Sequence, residues 1–168
     1  ADGGGNGRAL MDRVAIESAC AAAAELGLRL DVHVHGDGAL SAALAACPDL
    51  AAGRGLIIGG DLPVGPVADL APARFAVVPL RLAHDVYWLQ DRLGAERAGR
   101  THPYRSLAAA GMLAGIASIG PDYPQSPLAA AAIMLTRRDL QGYPLDGWVS
   151  AERLAVPDAL AALLGSTG

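Results

Sequence analysis

The fold is decided by the stretch LRLDVHVHGDGALSAALAA, residues 28–46. In its first part, Leu28 to His35, polar and apolar residues alternate, which predicts a β-strand with two different faces. Its second part, Ala39 to Ala46, is rich in Ala and Leu and predicts a helix. A strand followed directly by a helix is the repeating unit of a parallel sheet with helical crossovers.

The rest of the chain repeats this alternation. Further strands are predicted at Gly55–Ile58, Phe75–Leu80 and Met112–Ser118. Helical segments are predicted at Arg13–Leu26, Val67–Leu70, His84–Ala98, Tyr104–Ala110, Pro127–Thr136 and Ala159–Leu164. About four strand-and-helix units predict an α/β fold that is half, or part, of a (β/α)8 barrel of the TIM type. The periodicity leaves one alternative, an open doubly wound sheet of four strands.

The length and the distribution of glycine predict the domain organisation. A chain of 168 residues is long enough for one ordinary domain and too short for two. Residues 1–12, which include three consecutive glycines, are predicted to be a flexible lead. Residues 13–168 are predicted to form a single α/β domain, the partial barrel.

Charge and composition exclude several classes of function. The formal net charge of -4 argues against a nucleic-acid partner, because such proteins concentrate positive charge. All basic residues are arginine, which excludes a Schiff-base lysine and a phosphate-binding lysine of the Walker type. No stretch reaches the roughly 20 apolar residues that span a bilayer, so no membrane partner is predicted.

Other residues are assigned ordinary structural roles. Cys20 and Cys47 lie far apart in Ala-rich segments and are predicted to be buried free thiols. Together with the lack of a signal peptide, this predicts a cytoplasmic protein. His84 and His102 are predicted to be surface histidines, and Arg137–Asp139 a solvated helix end.

The strongest chemical signal is Asp31-Val32-His33-Val34-His35-Gly36-Asp37. On a strand, alternate side chains share a face, so Asp31, His33 and His35 point the same way. Two imidazoles in this arrangement can bind one divalent cation, Zn²⁺ or another, and a nearby carboxylate can orient an imidazole. Such a pair can equally be solvated or hydrogen-bonded on a half-exposed strand.

A second signal, Ile119-Gly120-Pro121-Asp122-Tyr123-Pro124, follows the last apolar strand. A carboxylate at the carboxyl end of a barrel strand lies where barrel enzymes keep their catalytic groups. Asp122 is therefore a candidate metal ligand and a candidate general base for a bound water. The same sequence also favours a turn, in which Asp122 would accept local backbone hydrogen bonds.

Taken in order, these stretches resemble the carboxyl-terminal half of the barrel in amidohydrolase family 3, a family of metal-dependent hydrolases. The motif His-x-x-Gly-Asp-x-Ala at the end of the family's fifth strand is matched by residues 33–39. The resemblance implies that His33 is a metal ligand and that Asp37 supports it. Asp-x-His-x-His is also the first-strand signature of the superfamily, which gives a rival alignment of residues 31–35.

Later motifs of the family follow in the same order, and the resemblance covers roughly residues 14–164. A strand ending in Pro, followed by Leu-Gly-x-x-Arg, is matched by residues 77–79 and 93–97. The motif Pro-Tyr-x-x-Leu-x-x-x-Gly is matched by residues 103–111. The Asp-x-Pro that follows the eighth strand is matched by Asp122–Pro124, which implies that Asp122 is the catalytic base.

The chain also departs from the family. The sixth-strand motif Arg-x-x-Ile-Glu-His corresponds to Arg54–Gly59, so that Gly59 stands where a metal-binding histidine is expected. Pro121 replaces the Ser before the eighth-strand aspartate. The family's first-strand histidine pair and its bridging carboxylated lysine would lie upstream. These differences imply an eroded metal site.

Two functions remain open at this stage. The resemblance implies metal-dependent hydrolysis of an amide or other C–N bond in a small-molecule substrate, completed by an upstream segment or a partner chain. His35 would be an additional ligand if the metal is shifted to compensate for Gly59. The alternative is a non-catalytic half-barrel that binds a ligand or a partner. Because half of a barrel leaves two exposed sheet edges, either function predicts association with a second copy or with a complementary chain.

Overall fold

Strands and helices alternate along the part of the chain that the computed structural model describes, which is residues 9–59, 65–118 and 126–165. The strands are β1 (Asp31–His33), β2 (Leu56–Ile58), β3 (Phe75–Val77) and β4 (Leu113–Ile116). The helices are α1 (Arg13–Glu25), α2 (Gly36–Ala46), α3 (Pro48–Ala51), α4 (Pro79–Asp85), α5 (Leu89–Ala98), α6 (Tyr104–Ala109), α7 (Pro127–Thr136) and α8 (Val156–Leu164). Most of the predicted lead, residues 1–8, lies outside the described residues.

The four strands form one parallel sheet in the order β1-β2-β3-β4. Right-handed crossovers between successive neighbours place their helices on the same face of the sheet. A doubly wound sheet instead reverses its strand order and carries helices on both faces. The predicted α/β fold with four parallel strands is confirmed, and the strand order is that of a barrel segment.

One face of the sheet holds the core. Val32, Ile57, Phe75 and Leu113 lie in register across the four strands. The last three are at most 2% exposed and belong to the same buried cluster as apolar side chains of α2, α4 and α7. Burial of this row under the helices fixes the register, because a shift by one residue would move it to the other face.

The opposite face is more open in the part of the chain that the structure describes. Here β1 carries the exposed Asp31 and His33, and β2 carries the half-buried Leu56 and Ile58. His33 is in register with Ile58, so both side chains lie on this face. In a closed barrel this face would be the interior.

Several element boundaries differ from the predicted ones. The predicted strand Phe75–Leu80 ends at Val77, and Pro79 begins α4 instead, since proline suits the first turn of a helix. The predicted helix His84–Ala98 is two helices that meet near Trp88. Within α5, Gly94 has a φ of 76° and interrupts the helix.

The prediction of free thiols is wrong, because Cys20 of α1 and Cys47 after α2 form a disulfide with a Cα–Cα distance of 5.7 Å. Cys20 is also the only fully buried residue of α1. The bond therefore holds a helix that buries little else. Unpaired cysteines were part of the support for a cytoplasmic location, and that support is removed. Within the described residues, no helix is both long and apolar enough to cross a bilayer.

Reduction of the Cys20–Cys47 disulfide is expected to lower the free energy of unfolding by about 3 kcal/mol, since the bond closes a long loop of the unfolded chain. Hydrogen exchange should show the loss of protection chiefly in α1. The double variant Cys20→Ala/Cys47→Ala should be equally unstable and insensitive to reductant. Two titratable thiols in the native, unreduced protein would contradict the pairing.

The segment after α7 is organised around Asp139, which is 6% exposed, so the predicted solvated helix end is wrong here. Its Oδ1 accepts hydrogen bonds from the amides of Gln141 (2.9 Å) and Tyr143 (2.8 Å), and its Oδ2 accepts one from the Tyr87 hydroxyl. Burial acts to raise the pKa of Asp139, but these hydrogen bonds outweigh it and lower the pKa below its usual value.

This lowered pKa predicts an acid-sensitive contribution to stability. A carboxyl whose pKa is lower in the folded state stabilises the fold above its unfolded pKa, and the contribution is lost as pH falls through the folded pKa. In urea unfolding between neutral pH and pH values near 3, Asp139→Asn should therefore show a flatter loss of stability than the wild type. A matched control is Asp158→Asn in α8, which should follow the wild-type profile.

Candidate functional site

The carboxyl end of β1 presents the two predicted histidines to the open face of the sheet. Asp31, His33 and His35 are exposed, whereas Val32 is half-buried and Val34 is buried. This alternation places both imidazoles on one face, because successive side chains of an extended chain point to opposite sides. His35 is also the N-cap residue of α2, so the chain turns into the helix directly behind the pair.

The position that follows the neighbouring strand β2, Gly59, has no room for a side chain. A Cβ atom at residue 59 would lie 2.7 Å from the carbonyl oxygen of Val34, which is backbone and cannot rotate away. Real Cβ atoms essentially never come this close to a backbone oxygen. A histidine ligand at this position would therefore require a shift of β1, and β2 supplies no metal ligand at residue 59.

An arginine from the third strand-and-helix unit reaches the histidine pair. Arg81 lies in the first turns of α4, just after β3, and its Nη1 is 3.3 Å from Nε2 of His35. A guanidinium has only N–H donors, so in this hydrogen bond Nε2 of His35 must be the acceptor. The lone pair of Nε2 is then directed at Arg81, which competes with any metal for that nitrogen.

Arg81 is held from behind by a buried carboxylate. Oδ2 of Asp85 lies 3.6 Å from Nε of Arg81 and 3.1 Å from Nε2 of His102. The side chains of Asp85 and His102 are 3% and 0% exposed, so the prediction of a surface His102 is wrong. The hydroxyl of Tyr104 lies 3.2 Å from Nδ1 of His102 and continues the buried chain.

This buried chain ends on a fully buried arginine, which also contradicts the predicted solvated helix end. Arg137 donates hydrogen bonds to the carbonyl oxygens of His102 (2.9 Å) and Trp148 (2.8 Å). Its guanidinium carbon lies 4.6 Å from the centre of the Tyr104 ring, a cation–π distance. Burial lowers the pKa of Arg137, while Tyr104 and Glu152 act in the opposite direction.

The two aspartates predicted to support the histidines contact arginines. Asp37 accepts a hydrogen bond from Arg97 of α5 at 3.0 Å and another from the amide of Gly38 at 3.0 Å. Asp31 accepts two hydrogen bonds of 2.9 Å from Arg29 at the start of β1. Their assignment as supports of a metal ligand stays a prediction.

The structure brings together only part of the predicted metal site. His33 and His35 share a face, while Asp122, the predicted ligand and base, lies outside the described residues. Within the described ranges there is no group of three His, Cys, Asp or Glu side chains placed to hold a metal ion. The ligand roles of His33, His35 and Asp122 stay predictions.

Comparison with known proteins supports the fold. No family model and no curated protein matches the chain. A solved structure that does match is the crystal structure of an uncharacterized metal-dependent hydrolase from Pyrococcus furiosus, with a TM-score of 0.76 and 24% sequence identity. The match covers 96% of this chain and 33% of that chain, so this chain spans about a third of the hydrolase. At this identity the match shows the fold: four parallel strands and their helices correspond to part of a metal-dependent hydrolase.

A divalent metal fits this edge in part. The exposed imidazole of His33 is a suitable ligand, whereas His35 directs Nε2 at Arg81 and residue 59 has no room for a ligand. A protein metal site normally has at least three protein ligands. The described residues alone therefore do not complete a metal site.

No sequence pattern points to the arginine and the aspartate behind the histidine pair. Arg81 and Asp85 are one helical turn apart, a spacing that permits an ion pair but is common on helix surfaces. His102 precedes a proline in a segment predicted as an exposed connection. Its burial depends on contacts with residues distant in sequence, which no local pattern contains.

Arg137→Lys is expected to lower the free energy of unfolding by about 2 kcal/mol, because an ammonium cannot reproduce both hydrogen bonds of the buried guanidinium. Urea unfolding measures the change. The matched control is Arg92→Lys on the exposed surface of α5, which should stay within about 0.5 kcal/mol of wild type. Equal stability of the two variants would contradict the assigned role of Arg137.

Proposed function

We propose that this chain forms the carboxyl-terminal half of the barrel of a metal-dependent hydrolase related to amidohydrolase family 3. In the assembled barrel, the reaction is hydrolysis of an amide or other C–N bond of a small molecule. One observation carries the proposal: the fold matches part of a metal-dependent hydrolase over 96% of the chain, and His33 is exposed at the strand edge where such barrels hold their catalytic groups.

This half contributes a ligand and a base. When bound, Zn²⁺ or another divalent metal supplies Lewis acidity and activates water at neutral pH. His33 would hold the metal, and Asp122 would accept a proton from the attacking water and return it to the leaving nitrogen. Asp37, in the first turn of α2 and paired with Arg97, would help to position this end of the helix beside His33.

The remaining strands would come from an upstream segment, from a second copy of this chain or from a complementary chain. The half-buried Leu56 and Ile58 on the open face are suited to the interior of a closed barrel. β1 and β4, as the edges of the described sheet, are the strands that would pair with the missing half. That half would supply the further metal ligands that a complete site requires.

A second candidate function is binding without catalysis, by a half-barrel whose metal site is degenerate. The observation that favours it is the hydrogen bond between Arg81 and Nε2 of His35, together with the closed position at Gly59. Both features remove metal ligands from the edge of the sheet. Under this function the same edge would bind a small molecule.

Metal content distinguishes the two functions. After incubation with zinc and desalting, the protein in its assembled fraction from size-exclusion chromatography should carry about one zinc per assembled barrel, as measured by elemental mass spectrometry. His33→Ala should lose the metal because it removes the exposed ligand. His84→Ala, a change of an exposed histidine at the end of α4, should retain it.

An amide-hydrolysis screen on the metal-loaded fraction then tests the reaction, with Asp122→Asn expected to abolish turnover. Absence of zinc from every assembly state would overturn the hydrolase proposal and favour the binding half-barrel. Equal zinc content in His33→Ala and wild type would show that the metal is held elsewhere, which would also overturn it.

A further inference from the structure

Arg81 places a positive charge at the edge of the sheet where barrel enzymes bind their ligands. Its side chain leaves α4, the helix that follows β3, and reaches His35, which follows β1. β2 lies between these two strands in the sheet, so the side chain spans the end of β2. The Arg81 side chain is 22% exposed, so part of it is accessible to solvent.

The guanidinium of Arg81 is placed by an ion pair with a buried carboxylate rather than extended into solvent. Asp85 is one helical turn from Arg81 and is itself held by the buried His102, whose other ring nitrogen faces the hydroxyl of Tyr104. A carboxylate that is 3% exposed would be costly to bury without such partners. An arginine that is fixed in advance loses less entropy when it binds a ligand, which favours binding.

The surrounding groups also favour an anion. His33 and His35 are exposed on the same face, and an imidazole can donate a hydrogen bond to an oxyanion. The N-terminus of α2, which is the positive end of its helix dipole, lies directly after His35. The carboxylates on either side of the pair in sequence, Asp31 and Asp37, form ion pairs with Arg29 and Arg97, so neither leaves an uncompensated negative charge.

We propose that Arg81, with His33 and His35, forms a binding site for a small oxyanion, a carboxylate or a phosphate group of a ligand. The planar guanidinium matches the two oxygens of either group. This site goes beyond the proposed hydrolysis and requires no metal. In a hydrolase it would hold an anionic group of the substrate, and in a binding half-barrel it would hold the ligand itself.

The proposal is tested by titrating sodium acetate and inorganic phosphate separately into protein from which metal was removed by chelation and dialysis. Calorimetry should give a dissociation constant on the order of one millimolar for at least one anion. Arg81→Gln should weaken that affinity at least about tenfold. Arg54→Gln, the same charge change on an exposed arginine at the opposite end of β2, should leave it within about twofold.

Acetate binding alone assigns the site to carboxylates, and phosphate binding alone assigns it to phosphate groups. Binding of neither anion, equal affinities of Arg81→Gln and wild type, or equal losses in both variants would overturn the proposal. If the Arg81→Gln variant fails to fold, NMR of the wild-type protein tests the proposal without any substitution. In wild-type protein, the imidazole NMR signals of His33 and His35 should shift on anion addition while that of His84 should not.

Because metal is absent throughout, these results are independent of the hydrolase proposal. Anion binding by a chain that takes up no zinc supports the site and overturns only the hydrolase. Zinc uptake by a chain that binds neither anion supports the hydrolase proposal and overturns only the anion site.

Discussion

A parallel sheet is stable when its faces are covered, and this constraint governs the whole molecule. The helices cover the row Val32, Ile57, Phe75 and Leu113, which holds the sheet in register. With four strands in sequential order, all crossovers lie on that one face, so the other face depends on something else for its cover. The constraint thus connects the strand order to the association that we propose.

The same geometry decides where function can lie. The carboxyl ends of parallel strands meet along one edge of the sheet. Here that edge brings together two imidazoles after β1, a glycine position after β2 with no room for a side chain, and a guanidinium from α4, which follows β3. A fold of this kind is compatible with many chemistries, which are set by the side chains at that edge. The lack of room for a side chain at Gly59 and the approach of Arg81 to His35 disfavour cation binding at this edge and are consistent with the anion binding that we propose.

Local patterns predict the four strands and most of the helices, and they place His33 and His35 on one face. Alternation and Ala-rich runs depend on neighbours in sequence, but they miss α3 and the start of α4 at Pro79, and they merge the end of α4 with α5. The Cys20–Cys47 pair and the burial of His102 and Arg137 depend on residues far apart in the chain. An isolated histidine or arginine belongs to no periodic pattern that would reveal its burial, so the polar character of its side chain predicts a surface position.

The buried chain behind the site explains why polar residues are kept in the interior. Asp85 is costly to bury, and its Oδ2 atom contacts both Arg81, at the carboxyl ends of the strands, and the buried His102. Arg137 in turn holds the carbonyl oxygen of His102 and stacks over Tyr104. If these buried polar side chains only filled space, apolar side chains would fill it at a lower cost in free energy. These contacts instead connect the buried core to the partly exposed guanidinium of Arg81, and a binding group held in this way loses less entropy when it binds a ligand.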